Sequence, residues 1–197
     1  MAISLIQQED ASRSHHDREF GFWMYLMSDA IIFALLFATY LIMADSTAGG
    51  PSAHDLFRLP HALIESVVLL VSSATFGLAS VELNLGQARR VVACLALTFA
   101  LGFIFLAMEV SEFHDLVVRG VSPDRSGFLS AFFTLVGVHG LHVGFGMLWI
   151  VIFGVQILSR GVNASTASRV SRLALFWHFL DVVWVGVFSI VYLAGIL

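Results

Sequence analysis

The sequence is poor in charge, since Asp, Glu, Lys and Arg together make up 12% of its 197 residues. Hydrophobic residues make up 58% of the chain, and the mean hydropathy is +0.89. A water-soluble domain needs more polar surface than this to cover itself. The composition therefore excludes an ordinary soluble domain and predicts that lipid surrounds most of the chain. We expect no nucleic-acid partner.

Cysteine is nearly absent: Cys94, inside an apolar run, is the sole example. A single cysteine excludes an intrachain disulfide and a metal cluster held by several thiolates. The first twenty residues are polar and lack the basic start, apolar middle and small-residue cleavage site of a signal peptide. We expect an exposed polar tail over residues 1–20 and a transmembrane domain over residues 21–197.

Five apolar stretches are long enough to cross a bilayer as helices, which takes roughly 20 residues each. They cover residues 21–43, 60–83, 91–113, 128–158 and 173–197. Turn-forming or polar residues separate the stretches, from Gly49-Gly50-Pro51 in the first break to the Ser- and Asn-containing residues 160–172 in the last. The pattern predicts an all-α membrane protein, a bundle of five transmembrane helices.

Lysine is absent, so the distribution of arginines predicts the orientation. The N-terminal segment and the second and fourth breaks hold Arg13, Arg18, Arg89, Arg90, Arg160, Arg169 and Arg172. The first and third breaks hold the fewer remaining arginines, Arg58, Arg119 and Arg125. Because the arginine-rich side of a membrane protein faces the cytoplasm, we predict a cytoplasmic N-terminus and a periplasmic C-terminus.

Ionisable residues inside the apolar stretches are candidates for function, because a charge in hydrocarbon is costly and must face protein, water or a partner. Glu82 lies near a helix end, where its side chain can reach the interface. The deeper candidates, for proton supply or structural hydrogen bonding, are Asp29, Glu65, Glu109, Glu112, His139, His142, His178 and Asp181.

Six of these residues form pairs spaced three apart, which places both members on one helix face. The pairs are Glu109 with Glu112, His139 with His142, and His178 with Asp181. Such pairs chelate metals in di-iron helix bundles, so a di-metal membrane enzyme is an alternative. However, the helical rise places the pairs at different depths. We therefore expect no metal site, and interpret the histidines as hydrogen-bonded groups inside the bundle.

Asp29 lies about 12 Å into the first predicted helix. A carboxylate at that depth is either protonated or paired. Its predicted depth is close to that of His142 and His178, so our hypothesis is a hydrogen bond between Asp29 and one of these histidines.

Glycines recur at spacings of three and four in the fourth stretch, at Gly137, Gly140 and Gly144. Small residues at this spacing let another helix approach closely. We predict close packing there, against either a helix or a lipid chain.

Four longer strings, in this order, resemble subunit III of the haem–copper terminal oxidases. They are GFWMYLMSD at residues 21–29, MEVSEFH at 108–114, PDRSGFLSAFF at 123–133 and FWHFLDVVW at 176–184. Within that family, the five-helix length and the 123–133 string are similar to the cytochrome o ubiquinol oxidase branch.

The resemblance implies a non-catalytic subunit of a bacterial inner-membrane complex that oxidises quinol, reduces oxygen and pumps protons in aerobic respiration. It implies that haems and copper belong to subunit I, the main contact, that subunits II and IV are further partners, and that phospholipid binds this chain. In the wider family, a carboxylate matching Asp29 is associated with sustained proton uptake. The alternatives are subunit III of a five-helix cytochrome c oxidase and an independent proton carrier.

Overall fold

The structure, a computed structural model, describes residues 2–56 and 59–196, apart from the side chains of residues 2–18, 55, 164 and 196. Helices account for nearly all of this part of the chain, and it contains no strand. Five helices are long and apolar enough to cross a membrane: Glu19–Met43, Leu59–Asn84, Ala88–Val118, Gly127–Arg160 and Ser165–Leu193. The prediction of an all-α protein with five membrane-length helices is confirmed.

The helices follow one another with short breaks. In chain order they are α1 (Ala2–Met43), α2 (Ala53–Leu56), α3 (Leu59–Asn84), α4 (Ala88–Val118), α5 (Gly127–Arg160), α6 (Ala164–Val187), a π-helical segment (Phe188–Leu193) and α7 (Ala194–Ile196). The backbone of α1 extends back to Ala2. We predicted an exposed tail over residues 1–20, but the side chains of residues 1–18 lie outside the described part of the structure. The exposure of the tail therefore stays a prediction.

The chain divides into two compact units within α1, the first ending at Leu35 and the second beginning at Leu36. In the second unit, α3 packs against α4 and α6, and α5 packs against the same two helices. These four helices form a bundle whose buried centre is rich in aromatic rings. Trp184 and Phe105 meet edge to face there, with ring centroids 4.6 Å apart.

Two glycines make room for the largest ring of this core. A Cβ atom added at Gly102 or at Gly146 would lie 3.0–3.1 Å from the Trp177 indole. That separation is shorter than ordinary carbon–carbon contact. Trp177 is 1% exposed, so it packs between helices. Glycine at both positions therefore lets α4 and α5 close around the indole of α6.

The outer surface of the bundle is apolar. Leu141 on α5 is 75% exposed and Val182 on α6 is 70% exposed. Many large hydrophobic side chains share this outward direction, as expected when lipid or a partner protein replaces water around the bundle.

The predicted start of the last helix, at Leu173, is wrong, because α6 begins at Ala164. The Asn163 side chain caps the helix by accepting a 2.9 Å hydrogen bond from the Thr166 N–H. Val170 is fully buried in this added portion. Hydropathy indicates where a helix enters lipid, but polar residues can continue the helix beyond that point. The sequence also did not indicate α2 or the π-helical segment.

Candidate functional site

A group of polar side chains lies between α3, α4 and the π-helical segment. We call it the carboxylate cluster, and it consists of His61, Glu65, Glu109, Glu112 and Tyr192. α3 supplies His61 and Glu65, and α4 supplies Glu109 and Glu112. In each pair the spacing of three or four residues places both side chains on the same face of the helix. Tyr192 comes from the π-helical segment, a rare form that often occurs at functional sites.

Two direct contacts connect the members of the cluster. His61 Nε2 lies 3.3 Å from Glu65 Oε1, and the Tyr192 hydroxyl donates a 3.0 Å hydrogen bond to Glu112 Oε2. Donor atoms of His61, Glu65 and Glu112 all lie within 4.8 Å of one another. The cluster therefore joins three separate elements through polar groups.

The two deepest carboxyl groups are almost fully removed from solvent. Glu65 is 0% exposed and Glu109 is 3% exposed. In the part of the chain that the structure describes, the Oε2 atom of each lacks a hydrogen-bond partner. Glu65 and Glu112 both lie within electrostatic range of Glu109. Buried carboxylates need a proton, a cation or water to offset the cost of burial, so this site is suited to holding protons or a cation.

A cavity of about 100 Å³ adjoins the cluster. His61 and Glu112 line it, together with Asp115 and Arg119 near the end of α4. The cavity is large enough for water, so it provides a polar route to the imidazole and to one carboxylate of the cluster.

A second polar contact connects α3 with α6. Ser73 Oγ lies 2.6 Å from His178 Nδ1 and is also within hydrogen-bonding reach of the Asp181 carboxylate. The spacing of His178 and Asp181 allows both to meet the same serine. This pair therefore has a structural partner on α3.

The histidines of α5 have different surroundings. His139 is fully buried, and its Nε2 atom lies 3.3 Å from the Leu180 carbonyl oxygen of α6. His142 Nδ1 lies 2.7 Å from the Val138 carbonyl oxygen of its own helix. The three pairs of ionisable residues therefore meet different partners within the described residues.

Asp29 lies in the unit that ends at Leu35. The Tyr25 hydroxyl, one helical turn earlier, hydrogen-bonds to its carboxylate. A hydrogen bond from Asp29 to a histidine stays a prediction.

The three predicted packing glycines are not equivalent. A Cβ atom at Gly140 would overlap Glu109 Oε1, so glycine makes room for a carboxyl group of the cluster. At Gly137 and Gly144 the nearest atoms would be 3.7 and 3.9 Å away, which is ordinary van der Waals contact. Among these three positions, only a methyl group at Gly140 would force a neighbouring group, the end of the Glu109 side chain, to move.

The sequence analysis missed three partners in these sites, His61, Ser73 and Tyr192. The spacing of four between His61 and Glu65 was a usable signal, because it places them on one face. Ser73 has no such local signal, since its partners are on α6. Tyr192 depends on the π-helical turn, which the pattern of apolar residues does not reveal.

The loop between α4 and α5 holds its shape through its own side chains. Arg125 donates a 2.9 Å hydrogen bond to the Gly120 carbonyl, and Ser126 caps α5 by accepting from the Leu129 N–H. Hydrogen bonding to Ser122 lowers the pKa of the exposed Asp124 carboxyl. The polar residues that begin the 123–133 string therefore stabilise this loop and the start of α5.

The fold and its buried polar groups define a class, the multi-pass α-helical membrane proteins with ionisable side chains between their helices. The chain belongs to the cytochrome c oxidase subunit III family, whose model matches residues 5–196.

Three curated relatives illustrate the range of the family. Cytochrome bo(3) ubiquinol oxidase subunit 3 of Pseudomonas aeruginosa is 52% identical over 178 residues, covering 90% of this chain and 85% of the relative. The protein of the same name from Buchnera aphidicola subsp. Schizaphis graminum is 41% identical over 182 residues, covering 92% and 96%. Cytochrome c oxidase subunit 3 of Bacillus sp. PS3 is 40% identical over 188 residues, covering 95% and 91%.

Proposed function

We propose that this chain is the non-catalytic subunit III of a proton-pumping haem–copper ubiquinol oxidase. The observation that carries the proposal is its 52% identity, over 90% of its length, to a ubiquinol oxidase subunit 3. Identity to the cytochrome c oxidase relative is lower, at 40%. The difference favours the ubiquinol branch over a five-helix cytochrome c oxidase.

In this proposal the chain lies in the bacterial inner membrane with its N-terminus in the cytoplasm and its C-terminus in the periplasm. It stabilises subunit I, which holds the haems and copper, and it assembles with subunits II and IV. The distribution of arginines supports this orientation. The strongly exposed apolar side chains of α5 and α6 offer surface for subunit contacts or lipid.

The placement of haems and copper in a partner rests on the resemblance to the oxidase family. His139, His142 and His178 each have a ring nitrogen within hydrogen-bonding distance of an oxygen atom inside the bundle, which is a structural use of that nitrogen.

Bound phospholipid is a further part of the proposal. An apolar groove of about 250 Å³ lies between α4 and α5. Leu95 and Phe99 line one side, and Ile150 and Val155 line the other. Its apolar lining and its position between two membrane-length helices suit part of an acyl chain.

Purification through a tag on this chain, in mild detergent, tests the proposal. We expect haem absorption bands, subunits I, II and IV by mass spectrometry, and oxygen consumption with ubiquinol. An untagged strain controls for carry-over. Oxygen consumption with reduced cytochrome c in place of ubiquinol would instead identify a cytochrome c oxidase. A colourless chain that carries protons across liposomes would replace the proposal with an independent carrier.

A further inference from the structure

We propose that His61, Glu65 and Glu112 form a binding site for a divalent transition-metal ion, with Zn²⁺ as the best match. The site is at the edge of the carboxylate cluster, between α3 and α4. The proposal goes beyond the proposed function and does not depend on the identity of the electron donor.

The geometry of the three donors is close to that of a metal site. Ligand atoms about 2.1 Å from a tetrahedral zinc ion are about 3.4 Å apart. His61 Nε2 and Glu65 Oε1 are already 3.3 Å apart. The third donor, on Glu112, keeps all three within 4.8 Å of one another. A small rotation of the Glu112 side chain would bring it to the same distance.

An independent observation is that the site has an unsatisfied buried carboxylate. Glu65 is 0% exposed, and neither its Oε1 atom, the proposed donor, nor its Oε2 atom has a hydrogen-bond partner in the part of the chain described by the structure. Leaving such an oxygen unpaired in an apolar surrounding is costly. A cation bound between Glu65, His61 and Glu112 would offset that cost.

The chemical nature of the donors indicates which ion binds. One imidazole nitrogen and two carboxylates suit zinc, whereas Ca²⁺ and Mg²⁺ prefer oxygen ligands alone. Three protein ligands leave a fourth position free. The adjoining cavity of about 100 Å³ has His61 and Glu112 in its wall, so it supplies space for a water ligand and a route for the ion.

Neighbouring groups support the arrangement. The Tyr192 hydroxyl donates to Glu112 Oε2, and a hydrogen bond of this kind orients a metal-binding carboxylate. Asp115 and Arg119, which carry opposite formal charges, also line the cavity. The sequence analysis predicted no metal site because its three residue pairs lie at different depths. That argument did not consider His61, which is not a member of any of the three pairs.

The first test uses the unaltered protein, purified with the subunits that accompany it and treated with a chelator to remove exchangeable divalent metal ions. The His61 side chain is 36% exposed, so diethyl pyrocarbonate can modify its ring, and peptide mass spectrometry measures the modification. We expect Zn²⁺ to protect His61 several-fold, and Mg²⁺ at the same concentration to give no protection. Exposed His114 on α4 is the internal reference and should react equally throughout. Equal labelling of His61 with and without saturating Zn²⁺ would overturn the proposal.

The second test counts zinc retained after excess metal is removed. H61F and E112Q should each retain one zinc fewer per chain than the unaltered protein. H114F, the same replacement at an exposed position, should retain the full amount. Equal zinc in H61F and the unaltered protein would overturn the proposal. If a variant does not assemble, the protection of His61 in the unaltered protein decides the question.

Discussion

The hydroxyl of Tyr192 donates a 3.0 Å hydrogen bond to Glu112 Oε2, and so connects the π-helical segment to α4. Tyr192 is 1% exposed, and its ring contacts Phe132 and Trp184. The wider π-helical turn changes the direction in which this residue points, compared with a continued α-helix. The end of the last membrane helix is thereby tied to the carboxylate cluster.

Replacing Tyr192 by Phe should lower the stability of the chain by about 1–3 kcal/mol, the usual cost of leaving a buried polar group without its partner. The ring contacts with Phe132 and Trp184 would be kept. Denaturant unfolding of the purified complex, followed on the tagged chain, measures the change. Y40F is the matched control, because Tyr40 is also buried and packs on Phe128 away from the cluster. Equal losses of unfolding free energy in Y40F and Y192F would show that the hydrogen bond to Glu112 does not contribute measurably to stability.

Alanine at Gly140 and at Gly144 should have different effects. The added methyl group at Gly140 overlaps the Glu109 carboxyl group, whereas at Gly144 the nearest atom is 3.9 Å away. Crowding of a packed interior typically costs about 1–3 kcal/mol, so G140A should reduce assembly yield and the midpoint of thermal unfolding. G144A is the control and should remain close to the unaltered chain. A normal midpoint for G140A would show that the Glu109 side chain moves aside at little cost, so that Gly140 does not contribute to stability through this contact.

Removing the cap of α6 should shorten or destabilise that helix. Asn163→Ala deletes the side chain that accepts from the Thr166 N–H, and loss of such a cap costs about 0.5–2 kcal/mol. Asn163→Asp keeps a capping oxygen and should restore the stability. Hydrogen exchange over residues 164–172 checks the effect locally. If N163A leaves exchange in this segment unchanged, the cap does not determine where α6 begins.

Asn in place of Asp29 should leave assembly intact and shorten the working life of the oxidase several-fold. The amide keeps the size of the side chain but cannot release a proton. Oxygen consumption followed through repeated turnover, together with proton pumping in reconstituted vesicles, measures the effect. D124N removes an exposed carboxylate outside the membrane and serves as the control. Unchanged turnover and lifetime in D29N would remove Asp29 from any account of proton supply.

Long apolar runs made the helix count predictable, because each run must satisfy its own backbone hydrogen bonds in lipid. The boundaries were less predictable where polar residues continue a helix, as at the start of α6. The capping side chain of Asn163 determines that boundary through a local hydrogen bond, and an average of hydropathy does not detect it.

The sequence by itself determined that this is a five-helix membrane protein, and it placed Glu109 and Glu112 on one helix face through their spacing alone. Only the tertiary structure decided which residues of other helices meet them. Glu65, His61 and Tyr192 join these carboxylates because α3 packs against both α4 and the π-helical segment, and Tyr192 of that segment hydrogen-bonds to Glu112. Spacing within a helix follows from helical geometry. Contacts between helices depend instead on packing, as where Gly140 leaves room for the Glu109 carboxyl group.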